Sequence, residues 1–224
     1  CLRQLLKQLV PSVCAGLAYV GLAAAGPADD TQLEDWFEDD TQSDIPQVGQ
    51  DELVFLSPPP VTKTLHSINT LSISESSLDD GWVQLKQCYE ALDAVPDAEV
   101  VYRYRNIRHL RIHSKDNIGR AVARDKSVQL VDVQHDAMLC IQAEVQILYP
   151  QEDGGYVLRN GPFHRRFLDG YFPLHVSLIV KYPSALLQAS DTSPASQPGF
   201  EVDLREGSVY IDTWFAGTLN TEVR

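Results

Sequence analysis

The sequence predicts a mainly β protein: an antiparallel β-sandwich or open barrel with one short packed helix, preceded by a signal peptide and a disordered acidic arm. Beyond Pro96 the chain is a succession of short runs rich in Val, Ile, Tyr and Phe, among them SVQLVDV, AMLCIQAEVQILYP, FPLHVSLIVKYP, FEVDLRE and SVYIDTWFAGTL. Two runs alternate in period two. Leu139, Ile141, Ala143, Val145, Ile147 and Tyr149 oppose Gln142, Glu144 and Gln146, while Leu174, Val176, Leu178, Val180 and Tyr182 oppose His175, Ser177 and Lys181. Such patterning puts one face in a core and the other in solvent, as in antiparallel sheets. Turn chemistry recurs at strand-length intervals, at Asp153-Gly154-Gly155, Asn160-Gly161, Asp169-Gly170 and Glu206-Gly207.

Taken in order, Arg3 and Lys7 precede an apolar stretch from Val13 to Ala25 that ends in Ala23, Ala24 and Ala25. A basic start, a short apolar run and small residues at the cleavage positions read as a secretory signal peptide over residues 1–25. The run falls short of the roughly 20 apolar residues that span a bilayer. Pro11, Ser12 and Val13 before Cys14 lack the pattern of a lipidation site. Residues 26–60 read as an acidic, Pro-terminated, disordered linker. Ten acids, from Asp29 to Glu52, fall in a stretch without Lys or Arg, and Pro58, Pro59 and Pro60 close it. From Val61 to Arg224 a single mainly β domain is expected, truncated at its C-terminus because Arg224 falls inside a strand-like run. It opens with a strand within Val61–Ile73, with Leu65, Leu71 and Ile73 on one face. The spacing of Trp82, Leu85, Tyr89 and Leu92 behind Asp79 and Asp80 predicts an amphipathic helix of about three turns, halted before Pro96.

The formal net charge of -13 repels phosphate and so argues against nucleic acid as partner. After removal of a leader, Cys88 and Cys140 remain, an even pair that reads as a disulfide in an exported, periplasmic or extracellular protein. Free buried thiols rank second, and thiol catalysis third because no CxxC is present. Cys140 lies on the Gln142 and Glu144 side of its strand, so the bridge is expected to pin the helix across that polar face.

Basic residues cluster twice against the acidic total. Arg103, Arg105, Arg108, His109, Arg111 and His113 fall in one run, and His164, Arg165 and Arg166 follow Asn160-Gly161. If the two strands pair, Arg103, Arg105, Arg108, Arg111, His164, Arg165 and Arg166 form a cationic strip suited to carboxylate or phosphate. The plain alternative is a solvated sheet face with charged edge protection. Aromatic residues, including Tyr102, Tyr104, Phe163, Phe167, Tyr171, Phe172, Trp214 and Phe215, are expected mostly in the core. His109 and His113 stand four apart, about 13 Å on a strand, so neither a metal site nor a cofactor is expected. No Gly-rich phosphate loop, GxSxG or HExxH is present.

The functional expectation is an exported, non-catalytic binding or assembly factor, taking an anionic ligand or a partner protein on the Arg/His strip. A hydrolase of an envelope polymer would instead need a concave site with a perturbed carboxylate pair. A structural module of a larger secreted assembly would present a long unpaired strand edge.

Overall fold

The computed structural model describes residues 52–167 and 170–224. The expected signal peptide and residues 26–51 of the expected acidic linker lie outside the described residues, as does Asp169 of the Asp169-Gly170 turn; residues 52–60 of that linker are described and carry a two-residue strand, with Val54 opposite Ala216 and Phe55 opposite Phe215. In chain order the elements are β1 (Val54–Phe55), β2 (His66–Ser72), α1 (Ser77–Asp80), β3 (Trp82–Leu92), β4 (Val95–Val101), β5 (Ile107–Arg124), β6 (Ser127–Gln146) and β7 (Leu148–Pro150). They continue with β8 (Tyr156–Phe163), β9 (Arg165–Phe167), β10 (Gly170–Phe172), β11 (Leu174–Lys181), β12 (Thr192–Ser193), β13 (Phe200–Arg205), β14 (Ser208–Ala216) and β15 (Leu219–Val223).

The expected mainly β, largely antiparallel architecture is what forms. A nine-stranded sheet follows the order β1-β14-β11-β2-β3-β6-β4, with β13 also on β14 and β5 on β6. Within it, β11 and β2 run parallel and bring His175 opposite His66. A four-stranded sheet of order β12-β15-β8-β7 and a β9–β10 ribbon complete the fold. Residues from both larger sheets enter one apolar core, Leu71, Leu139, Ile141, Leu178, Ile211 and Phe215 from the first and Leu158 and Leu219 from the second. All eight are essentially sealed from solvent. Truncating a side chain such as Phe215 to Ala would cost about 3–5 kcal/mol through lost transfer energy and the cavity left behind.

The helix expected over Trp82–Leu92 is instead strand β3. Val83, Leu85 and Gln87 point inward and are buried, while Gln84 and Lys86 point out to solvent. The inward amide of Gln87 interrupts the apolar alternation, which leaves Trp82, Leu85, Tyr89 and Leu92 at misleading three- and four-residue intervals. Among the described residues, helix is confined to the single turn α1. Gly81 follows it at φ 74°, and its carbonyl accepts the N–H groups of both Ile147 and Leu148. A Cβ at Gly81 would lie 2.6 Å from the Leu148 carbonyl oxygen, so the close approach requires glycine.

That corner also ends the alternation expected through Tyr149. Ile147 and Leu148 are consecutive buried residues, and the chain leaves β6 for β7 of the second sheet there, which exposes Tyr149. Asn160-Gly161 makes no turn. Both residues sit inside β8, where the register with β15 shifts between Leu219 and Thr221 and Gly161 has φ 122°. The run expected as one basic strand is divided as well, because Arg103 and Arg105 lie in the connection before β5 while Arg108, His109, Arg111 and His113 are on it.

The disulfide is present, and it joins Cys88 to Cys140. Because β3 is a strand, the bridge links directly opposed residues on neighbouring strands rather than pinning a helix, with Cα atoms 4.0 Å apart. Such close spacing belongs to a non-hydrogen-bonded antiparallel pair.

Candidate ligand cavity and the outer histidine row

A cavity of about 450 Å³ lies between β3, the connection 102–104 and the end of β8 with the start of β9. Its apolar walls include Leu65, Leu130, Phe163 and Leu174. Gln87 lines it from the inward face of β3 and is only 4% exposed. The Gln87 Nε2 group donates to Ser67 Oγ at 3.0 Å, but no described residue donates to Oε1. An unmet buried acceptor costs about 1–3 kcal/mol.

Tyr102 and Tyr104 face the same space, and Tyr104 donates through its hydroxyl to Asn160 Oδ1 at 2.7 Å. Burial pushes both phenols up from their ordinary value, Tyr102 further through the neighbouring Tyr89 hydroxyl, so they remain protonated donors at any physiological pH. His164 stands between cations. Burial, then the charges of Arg103 and Arg166, hold its imidazole below the ordinary value, and no described residue meets its Nδ1. Arg165 is clamped, its Nη2 donating to both carboxylate oxygens of Asp93 at 2.6 and 2.8 Å and its Nη1 to the Pro173 carbonyl at 3.4 Å. Arg166 lies 5.9 Å over the Tyr171 ring.

The structure therefore gathers Arg103, His164, Arg165 and Arg166 around one cavity without pairing β5 with β9. Arg105 lines two smaller depressions, of about 310 and 340 Å³, near Gln146 and Tyr149. Arg108 and Arg111 belong to the outer sheet face. Arg108 donates to Glu144 at 2.5 Å and covers the Trp82 ring at 4.0 Å, and Arg111 donates to Gln142 Oε1 at 2.7 Å.

The same outer face carries an arrangement that sequence reading missed. In-register pairing of β14, β11, β2 and β3 lines up Trp214, His175, His66 and Glu90 in one row. The rings of His66 and His175 stack at 3.7 Å, and those of His175 and Trp214 at 4.0 Å. In the adjacent row, Asp212 Oδ1 accepts from Ser177 Oγ at 2.6 Å and from the Tyr210 hydroxyl at 3.2 Å, and His175 Nε2 meets both Asp212 oxygens at 3.0 and 3.1 Å. Burial works to raise the Asp212 pKa, but the hydrogen bonds from His175, Ser177 and Tyr210 outweigh it and hold the carboxyl below its ordinary value. His66 and His175 are 109 positions apart in the chain, so no local spacing signals their approach.

No family model matches the chain, and no curated protein matches it. Among solved structures, it is similar to an M1 zinc metallopeptidase from Deinococcus radiodurans, at 13% identity and a TM-score of 0.38 over 79% of this chain and 43% of that one. A mutant of a two-domain M1 zinc metallopeptidase bound to L-tryptophan aligns at 14% identity and a TM-score of 0.35, over 80% of this chain and 44% of that one. The chain spans less than half the length of either, and likeness at these scores carries no argument about function.

Proposed function

We propose that the protein is a non-catalytic binding module of an oxidising, extracytoplasmic compartment, taking a small amphipathic anion into the cavity beside Arg103, His164, Arg165 and Arg166. The observation that carries this reading is a partly enclosed 450 Å³ space that combines apolar walls with a cationic rim. A carboxylate or phosphate would lie against the guanidinium groups, and its apolar body would cover Leu65, Leu130 and Leu174. The disulfide supports the compartment, since such bonds persist where thiols are not kept reduced.

The structural-module reading fares worse. Strand β5 is a long sheet edge of 18 residues, but it carries Arg108, Arg111, Lys115, Arg120 and Arg124 and three register shifts against β6. Cations and bulges on an edge oppose the docking of another strand.

Calorimetric titration of the chain with decanoate, decyl phosphate and decyltrimethylammonium tests the binding reading. Saturable binding of the two anions, no binding of the cation, and loss of binding in the Arg103→Glu/Arg166→Glu variant are expected. Equal uptake of all three, or anion binding that survives the charge reversal, would remove the basis for it.

A further inference from the structure

We propose that His66, His175 and Asp212 form a binding site for one divalent transition-metal ion, with zinc as the reference occupant, on the outer face of the nine-stranded sheet. One donor atom from each residue lies within 4.8 Å of the others. His175 Nε2 and the Asp212 oxygens are already 3.0 and 3.1 Å apart. Two ligands at tetrahedral zinc, each about 2.0–2.1 Å from the ion, stand about 3.4 Å from one another, so the widest pair must close by about 1.4 Å, and the stacked rings of His66 and His175 must tilt apart for both lone pairs to meet at one ion. The set of two imidazoles and one carboxylate suits zinc and its neighbours rather than calcium or magnesium, which take oxygen ligands.

The surroundings are arranged as a supporting shell. Ser177 and Tyr210 both donate to Asp212 Oδ1, which fixes the carboxylate and leaves Oδ2 for the ion. Glu90 lies 3.9 Å from His66 Nδ1, the place of a carboxylate that orients a metal-binding imidazole. His175 would bind as the tautomer protonated on Nδ1, its Nε2 lone pair turned to the metal. The three side chains keep 16% to 26% of their surface exposed, so an ion can enter and a fourth position faces solvent.

Nucleophilic use of Ser177 fits the geometry less well. His66 Nε2 lies 2.9 Å from its Oγ, but that hydroxyl gives its proton to Asp212 at 2.6 Å. The residue also sits in mid-strand, with β2 on one side and β14 on the other, so the ladder occupies the N–H groups that an oxyanion would need.

The test is a zinc titration of the chelator-treated chain, disulfide intact, against a chromophoric competitor, with Co²⁺ absorption as a second readout. One ion per chain is expected. His66→Asn, His175→Asn or Asp212→Asn should abolish binding, Glu90→Gln should weaken it roughly 10-fold, and His109→Asn with His113→Asn should leave it unchanged. Zinc uptake indifferent to the three ligand substitutions, or no stoichiometric uptake at neutral pH, would overturn the site. Should a variant fail to fold, imidazole resonances of the unsubstituted chain decide. Zinc must shift those of His66 and His175, and a spectrum in which they stay fixed overturns the proposal equally.

Discussion

Arg165 reaches across 72 residues to hold both carboxylate oxygens of Asp93, at 2.6 and 2.8 Å, on the rim of the cavity. The pair ties the start of β9 to the chain between β3 and β4. It also neutralises a cation that an anionic ligand would use. Asp93→Ala is expected to release that guanidinium and remove a repelling carboxylate, which strengthens decanoate binding several-fold in calorimetry. Since Asp93 is 60% exposed in its side chain, the stability lost should stay below about 1 kcal/mol. Weaker binding in Asp93→Ala would mean that the clamp shapes the cavity rather than competing for it.

His164 sets a pH dependence on the same cavity. In the free protein, burial and then Arg103 and Arg166 hold its imidazole below the ordinary 6.5, so at neutral pH it is uncharged. A bound anion favours the imidazolium, and binding therefore takes up a proton. Affinity should rise as pH falls from the value of the imidazole in the complex toward its depressed value in the free protein, and level off beneath it. His164→Asn should remove the slope. A flat profile from pH 7.5 to 5 in the unsubstituted chain would place the anion away from this ring.

On the outer face, Glu144 links three strands. Arg108 first, then Gln84, hold its carboxyl down to about 2 by hydrogen bonding, and His109 adds to the effect. A depressed carboxylate stabilises the fold above its unfolded value of 4.5, and the contribution is lost as pH falls from there toward 2. The Arg108 side chain is 46% exposed and that of Glu144 20%, so solvent screening still holds the pair to about 1 kcal/mol. Arg108→Ala should move the Glu144 titration, followed by carbon NMR of the carboxyl, back toward its ordinary value. Glu144→Gln should flatten the acid limb of the melting curve.

The alternating runs around Leu139 and Leu174 announced the large sheet because each residue there serves a single face. Strand β3 was hidden for the opposite reason, since buried Gln87 breaks its inner face, and that amide is now the polar point of the candidate cavity. Four of the seven residues of the cationic set were legible as a cluster, because Arg103 and His164–Arg166 do converge. Arg108 and Arg111 separated from it because they lie on β5 beyond the connection that holds Arg103, where they pair with Glu144 and Gln142 on the outer face. The His66, His175 and Asp212 group was illegible, because it depends on parallel pairing of two strands more than 100 residues apart.

The bend that shapes the cavity wall depends on Gly161. Its φ of 122° is unfavourable for any side chain, and a Cβ there would meet the Leu219 carbonyl oxygen at 2.8 Å and Asn220 Oδ1 at 2.9 Å. Gly161→Ala must therefore either strain the backbone, at about 1–3 kcal/mol, or push β15 away from β8. Either response shifts His164, three residues on, and Asn160, which receives the Tyr104 hydroxyl. Urea unfolding should show the loss of stability, and decanoate binding should weaken in proportion greater than that of a control such as Gly154→Ala, whose site has open space around it. Full binding in Gly161→Ala, with stability reduced, would show that the wall tolerates the displacement and that recognition rests on Arg103 and the β3 side of the cavity.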